Sequence, residues 1–62
     1  MPYEIDILNG ALVLVDEDGN SYECVALAGL RAAKQTIQTW AAKYTLNVSE
    51  SYERLSDHFR NR

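Results

Sequence analysis

The sequence has little with which to build a cross-linked, metal-bound or membrane-spanning structure. It holds one cysteine, Cys24, and one histidine, His58, among 62 residues. An internal disulfide is therefore excluded, and a Cys/His zinc site is not expected. The longest apolar run, residues 11–15, is far shorter than the roughly 20 residues that span a bilayer. We expect one small domain held by packing alone, with no cofactor, metal or membrane contact.

Sequence signals of catalysis and of export are also missing. No Gly-rich phosphate loop, metal-spaced His cluster or pair of catalytic carboxylates occurs. Cys24 and His58 are the only candidate nucleophile and base, and Cys24 is predicted on the core face, where a thiol is unreactive. We therefore predict that the protein is not an enzyme. The first residues lack the basic start and apolar stretch of a signal peptide, which favours a cytoplasmic protein.

Positive charge is absent from the first half of the chain. The net charge of −3 comes from nine acids and six bases. Residues 1–30 contain six of the acids and no base, whereas residues 31–62 contain all six bases and three acids. The two halves therefore offer surfaces of opposite sign, and the first half suits a basic partner.

The first 27 residues predict a three-stranded antiparallel meander. Asn9-Gly10 separates two β-rich runs, residues 3–8 and 11–15, and is a strong signal for a two-residue hairpin. A second turn, residues 16–20, leads to a third strand, residues 21–27. We predict a three-residue loop with Gly19 in the left-handed conformation, which sets Leu14 opposite Tyr22. A two-residue Asp18-Gly19 loop is the alternative, and it sets Leu14 opposite Glu23.

The predicted register assigns each side chain to one face of the sheet. The core face holds the larger apolar residues, Tyr3, Ile5, Ile7, Leu12, Leu14, Tyr22, Cys24 and Ala26. The outer face holds a valine stripe flanked by acids: Glu4, Asp6, Leu8, Ala11, Val13, Val15, Ser21, Glu23 and Val25. A solvated outer face and a binding surface centred on Val13 and Val15 are both consistent with this pattern.

Two helices are predicted after the meander. Residues 30–45 place Leu30, Ile37 and Trp40 on one helical face, which predicts an amphipathic helix laid on the sheet. A helix break at residues 46–49 is favoured over a short strand at residues 44–48, and Ser49 is predicted to cap a second helix over residues 50–60. We predict an α+β fold: a three-stranded antiparallel meander packed by one amphipathic helix, with a second short C-terminal helix.

The segment Asn47-Val48-Ser49-Glu50-Ser51-Tyr52 resembles the start of the reading helix in AraC-type regulators. The resemblance covers about six of the 62 residues and implies a helix-turn-helix that binds duplex DNA. Carboxylates at Glu50, Glu53 and Asp57 depart from that pattern, because they would repel phosphates. If nucleic acid were bound, the contacts would come from Arg31, Lys34, Gln38, Arg54, Arg60 and Arg62.

The charge pattern favours a small acidic protein that binds another protein. We expect a partner with a basic surface, contacted through the acid-rimmed outer face and the turn. A phage-type inhibitor that blocks the nucleic-acid-binding surface of a host enzyme would have this size and charge. The predicted contact residues are Glu4, Asp6, Val13, Val15, Asp16, Glu17, Asp18 and Glu23. One alternative is a nucleic-acid-binding regulator, and another is a homo-oligomer joined through the outer sheet face, with Val13 and Val15 at its centre.

Overall fold

The computed structural model describes residues 2–61 and consists of three strands followed by two helices. The elements are β1 (Glu4–Leu8), β2 (Ala11–Val15), β3 (Ser21–Ala26), α1 (Leu30–Ala41) and α2 (Val48–Arg60). The strands form an antiparallel sheet in the order β1-β2-β3. Both helices cover the same face of this sheet, where the buried core lies. The predicted α+β fold is confirmed.

The first hairpin has the predicted two-residue turn. Asn9 and Gly10 both have positive φ, 51° and 77°, as a type I′ turn requires. Leu8 pairs with Ala11 directly beside the turn, and Ile5 pairs with Leu14 further along the strands. The alternation of side chains on β1 and β2 is therefore as predicted.

The second hairpin has the predicted three-residue loop. The Asp16 amide donates to the Asn20 carbonyl at 3.0 Å, and the Gly19 amide donates to the Asp16 carbonyl at 3.1 Å. Gly19 has a φ of 86°, a left-handed conformation that glycine adopts without steric cost. Val15 pairs with Ser21, as this loop dictates.

A β-bulge at Tyr22 then changes the predicted register. Leu14 pairs with Glu23 and Leu12 pairs with Val25, so Tyr22 is an extra residue between two ladder pairs. The predicted pairing of Leu14 with Tyr22 is wrong, although the loop that motivated it is correct. At the bulge the ring of Tyr22 contacts two other tyrosines, and its hydroxyl donates to Asp16.

The bulge exchanges the two faces of β3. Glu23 and Val25 lie on the helix-facing side, and Cys24 and Ala26 lie on the outer side. The predicted burial of Cys24 is therefore wrong, since Cys24 is exposed. Helix α1 does not fully cover β3, and Val25 keeps 38% of its surface exposed.

Both helices differ from their predicted bounds by a few residues. Helix α1 ends at Ala41 instead of residue 45, and the chain turns as the Lys43 and Tyr44 amides both donate to the Trp40 carbonyl. Helix α2 begins at Val48 instead of residue 50. Its N-cap is Asn47. The predicted cap, Ser49, lies inside the helix, so that prediction is wrong.

The predicted break between the helices is present. Its Leu46 forms an isolated bridge to Tyr3, beside the free side of β1. The core that the two layers enclose contains seven buried apolar side chains, from both the sheet and the helices: Ile5, Leu12, Leu14, Ala33, Ile37, Trp40 and Leu55.

Candidate functional site

The valine stripe of the outer face exposes little surface at Val13 and Val15. Val13 lies in the middle of the central strand, paired with Asp6 on one side and Cys24 on the other. Only 8% of its surface is exposed. Val15 is half-buried at the end of the same strand. The role of Val13 as the apolar centre of a partner or dimer contact stays a prediction, and the small exposed area of its side chain gives it little support.

The predicted contact residues on β1 serve that strand's own free side. The Arg54 guanidinium donates to the Ile5 carbonyl at 3.1 Å and lies 3.5 Å from the Glu4 carboxylate. Asp6 turns its carboxylate onto the Ile7 amide at 2.9 Å. The Tyr3 amide donates to the Thr45 carbonyl at 2.8 Å. We call this covered side of β1 the closed edge.

Glu23 lies on the helix-facing side and binds the turn that follows α1. Its Oε2 accepts hydrogen bonds from the Tyr44 hydroxyl at 2.9 Å and from Lys43 Nζ at 3.2 Å. The Tyr44 hydrogen bond, followed by that of Lys43, lowers the pKa of Glu23, and the same contact raises the pKa of Tyr44. Glu23 therefore does not belong to the outer acidic rim, and its predicted placement is wrong.

Three tyrosines meet where the starts of β1 and β3 approach the turn that follows α1. The ring of Tyr3 contacts Tyr22 and Tyr44 edge to face, with centroids 5.2 Å and 5.0 Å apart. Tyr22 is predicted as a core residue, yet 49% of its surface is exposed. The sequence carries no signal of this cluster, because only the bulge brings Tyr22 to Tyr44.

Asp16 fixes the acidic turn from within. Its carboxylate accepts four hydrogen bonds: from the Asp18 amide, from the Asn20 amide and side chain, and from the Tyr22 hydroxyl at 2.9 Å. Desolvation raises the pKa of Asp16, but these hydrogen bonds outweigh it and lower the pKa. The hydrogen bond to Asp16 also raises the pKa of Tyr22. Asp16 therefore organises the turn, and its carboxylate is already occupied.

The carboxylates of Glu17 and Asp18 stand outside this network. Both residues are exposed, and within residues 2–61 neither carboxylate forms a hydrogen bond or an ion pair. The exposed Tyr22 belongs to the same region, because its hydroxyl donates to Asp16. We call Asp16, Glu17, Asp18 and Tyr22 the acidic corner. It is the part of the predicted acidic surface that remains available to a partner.

The bases predicted to contact nucleic acid do not form one free surface. Lys34 Nζ lies 5.2 Å from the centroid of the Tyr52 ring, and Gln38 donates to the Tyr52 hydroxyl at 2.8 Å, which joins α1 to α2. Arg54 covers the closed edge, and Arg60 pairs with Asp57 at 2.9 Å. Arg31 is exposed on α1. Arg62 lies outside the described residues.

Helix α2 does not present the surface of a DNA-reading helix. A concavity on its outward side is lined by Ser49, Tyr52, Glu53, Ser56, Asp57 and Arg60. Two carboxylates and one guanidinium, already paired with Asp57, give this side no excess of positive charge. This side of α2 therefore offers few free basic side chains to neutralise the phosphates of a nucleic acid.

The described residues do not bring together a nucleophile and base, or a set of metal ligands. Cys24 lies on the outer face of the sheet, whereas His58 lies on α2 at the opposite face. In the described part of the chain, no three His, Cys, Asp or Glu side chains converge as metal ligands would. Neither α1 nor α2 has the length and apolar character needed to cross a bilayer. No protein-family model, curated protein or solved structure matches the chain.

Proposed function

We propose that the protein is a small non-enzymatic binding domain whose acidic corner docks on a basic surface of a protein partner. The observation that carries the proposal is the fixed turn. Asp16 accepts four hydrogen bonds, among them those of the Asp18 amide and the Tyr22 hydroxyl, and thereby fixes the main chain of the turn and the position of the exposed Tyr22. Groups that are ordered before binding lose less conformational entropy when they bind, so more of the interaction energy appears as affinity.

The chemistry of the acidic corner suits arginine and lysine. Carboxylates pair with guanidinium groups through charge-assisted hydrogen bonds, and the face of a tyrosine ring attracts cations. Arginine can use both interactions at once, because its planar group stacks on rings and pairs with carboxylates. Basic protein surfaces that bind phosphates present the same side chains. A protein that binds such a surface competes with nucleic acid, which is the inhibitor form of this proposal.

A binding titration with an arginine-rich peptide tests the acidic corner directly. The test variant carries Glu17→Gln and Asp18→Asn, which removes two charges and leaves Asp16 in place. The control carries Glu50→Gln and Glu53→Gln, an equal charge change at exposed positions of α2. We expect the peptide to perturb the amide signals of residues 16–22 most strongly. The test variant should bind several-fold more weakly than the control, since local pairing and not net charge sets the affinity.

Equal weakening of both double variants would overturn the acidic corner as the binding site. The biological partner is then sought by capture from a cell lysate on the wild-type protein and on both variants, with and without nuclease. A protein retained by the wild type and the control, but lost with the test variant, fits the proposal. Retention that disappears with nuclease treatment would point instead to nucleic acid.

A further inference from the structure

The free side of β3 exposes main-chain groups that no other part of residues 2–61 covers. The Leu27 amide donates to the Gly10 carbonyl at 2.9 Å. Hydrogen-bonded and non-hydrogen-bonded pairs alternate along an antiparallel ladder. Val25 therefore directs its main-chain groups toward β2, whereas Cys24 and Ala26 direct theirs away from the sheet. The same alternation on β1 sends Tyr3, Ile5 and Ile7 outward, in agreement with their observed bonds at the closed edge.

Strand β3 has only weak protection against pairing with another strand. Proteins protect edge strands with lysine, proline, a β-bulge, an inward-pointing charge or a covering segment. Residues 21–26 contain neither lysine nor proline. Their one charge, Glu23, faces the helices and is neutralised by Lys43. The irregularity of the strand, the bulge at Tyr22, lies near its start and leaves residues 23–26 regular. We call this side of β3 the open edge.

We infer that the open edge pairs with the open edge of a second copy of this chain, antiparallel and across a two-fold axis, to give a six-stranded sheet. The open edge suits self-association because it carries no unpaired charge. Each copy is acidic overall, and the closed edge and the acidic corner carry Glu4, Asp6, Glu17 and Asp18. The open edge carries only the Glu23–Lys43 pair, so two copies approach there without repulsion between unpaired charges.

The alternation of main-chain groups limits the register of this pairing. The outward main-chain groups of Cys24 and Ala26 must bond to residues of the second copy whose main-chain groups also point outward. This condition is met only when the two-fold axis passes between two copies of the same residue. An axis at Glu23 would set two carboxylates opposite each other, which is destabilising. An axis at Val25 would pair Glu23 with Leu27, which lies past the end of β3. An axis at Cys24 keeps the pairing within β3, and it sets Glu23 opposite Val25 and Cys24 opposite Cys24 of the second copy. In such a pair the two Cα atoms lie about 5.5 Å apart.

Sedimentation velocity over a range of concentrations tests the dimer. We expect the wild type to reach twice the mass of the chain as its concentration rises. Ala26→Pro removes an outward amide and should abolish the dimer, while circular dichroism shows an intact fold. Cys24→Lys sets two like charges opposite each other and should have the same effect. Leu8→Lys, an equal charge change on the far side of the outer face, should leave the dimer unchanged.

Cross-linking with a short bifunctional thiol reagent tests the register, because Cys24 is the only cysteine. We expect rapid formation of a covalent dimer at concentrations where the wild type is dimeric, and its loss in Ala26→Pro. A wild type that is monomeric at all concentrations would overturn the inference. So would a dimer that Leu8→Lys dissociates, since that result would place the contact on the outer face. A dimer whose thiols do not cross-link would reject the Cys24-centred pairing.

Discussion

The two outer strands of this sheet both lack a neighbouring strand on one side, yet only one of these free sides is bonded to other groups of the chain. The closed edge of β1 meets the Thr45 carbonyl, the Arg54 guanidinium and the carboxylate of its own Asp6. The open edge of β3 meets none of these, and its charge is turned toward the helices. An unpaired strand edge favours association with another strand. The contrast therefore places the proposed self-association on one side of a molecule whose other side is protected.

The contrast extends from the strand edges to the core. Ile5 on β1 is 2% exposed, whereas Val25 on β3 faces the same layer and is 38% exposed. The helices pack mainly over β1 and β2, and they leave β3 partly uncovered. Burial of apolar surface contributes most of the stability of a domain this small. The closed side of the sheet should therefore carry most of the folding energy.

Truncation of a core-facing residue on each outer strand should give the largest difference. Ile5→Ala removes fully buried methyl groups and should reduce the free energy of unfolding by about 2–5 kcal/mol. Val25→Ala should cost about 1 kcal/mol or less, because its side chain is partly in water already. Urea unfolding of both variants, at concentrations where the chain is monomeric, measures the difference. Similar losses from the two changes would show that α1 packs on β3 as closely as it packs on β1.

A smaller effect is expected from the arginine that covers the closed edge. Arg54→Ala leaves the Ile5 carbonyl without its charged donor and should cost about 1 kcal/mol. Arg60→Ala is the matched control, because Arg60 makes only an exposed ion pair with Asp57. That pair should contribute at most about 0.5 kcal/mol. Thermal unfolding of the two variants compares them, and an equal loss would mean that Arg54 acts as an ordinary surface charge.

The pH dependence of stability should report the carboxylates beside β3. The pKa values of Asp16 and Glu23 are lowered from 3.8 and 4.5 in the folded protein. Their contribution is present above these ordinary values and is lost as the pH falls through the lowered values. The pKa values of Tyr22 and Tyr44 are raised above 10.0. Their contribution is present below pH 10.0 and is lost as the pH rises through the raised values.

Melting temperatures measured across the pH range should therefore fall modestly at both extremes. Tyr44→Phe removes the hydroxyl that bonds to Glu23, so the melting temperature of this variant should fall less at both low and high pH. Tyr52→Phe is a suitable control, because its hydroxyl bonds to Gln38 and not to a carboxylate. An unchanged profile in Tyr44→Phe would show that the hydrogen bond to Glu23 does not contribute to stability in solution.

Local patterns in the sequence predict the order of the elements, both turns and the core-facing residues of β1 and β2. Asn9-Gly10 and Gly19 fix their turns because the required positive φ is available to these residues. The bulge at Tyr22 has no such signal in its own residues. Tyr22 contacts Tyr3 and Tyr44 there, and both are distant in sequence. The predicted face of every β3 residue from Glu23 to Ala26 was consequently reversed, and Cys24 moved from the core to the surface.

The candidate site was predictable in composition but not in availability. The acids near the turn identify an acidic surface, and Glu17 and Asp18 are indeed exposed. Asp6 and Asp16 are bound by residues close to them in sequence. That Glu4 and Glu23 are already bound within the molecule depends instead on contacts between distant segments. Arg54, for example, reaches Ile5 across 49 positions of the chain. Such contacts become visible only once the layers are assembled.

Amide hydrogen exchange measured by NMR tests the difference between the two edges most directly. The Tyr3 and Ile7 amides are bonded within one chain, so they should exchange slowly at every protein concentration. The Cys24 and Ala26 amides should exchange rapidly in dilute solution and become protected as the concentration rises and the open edges pair. Rapid exchange of Cys24 and Ala26 at all concentrations, with Tyr3 and Ile7 protected throughout, would contradict the pairing of the open edges.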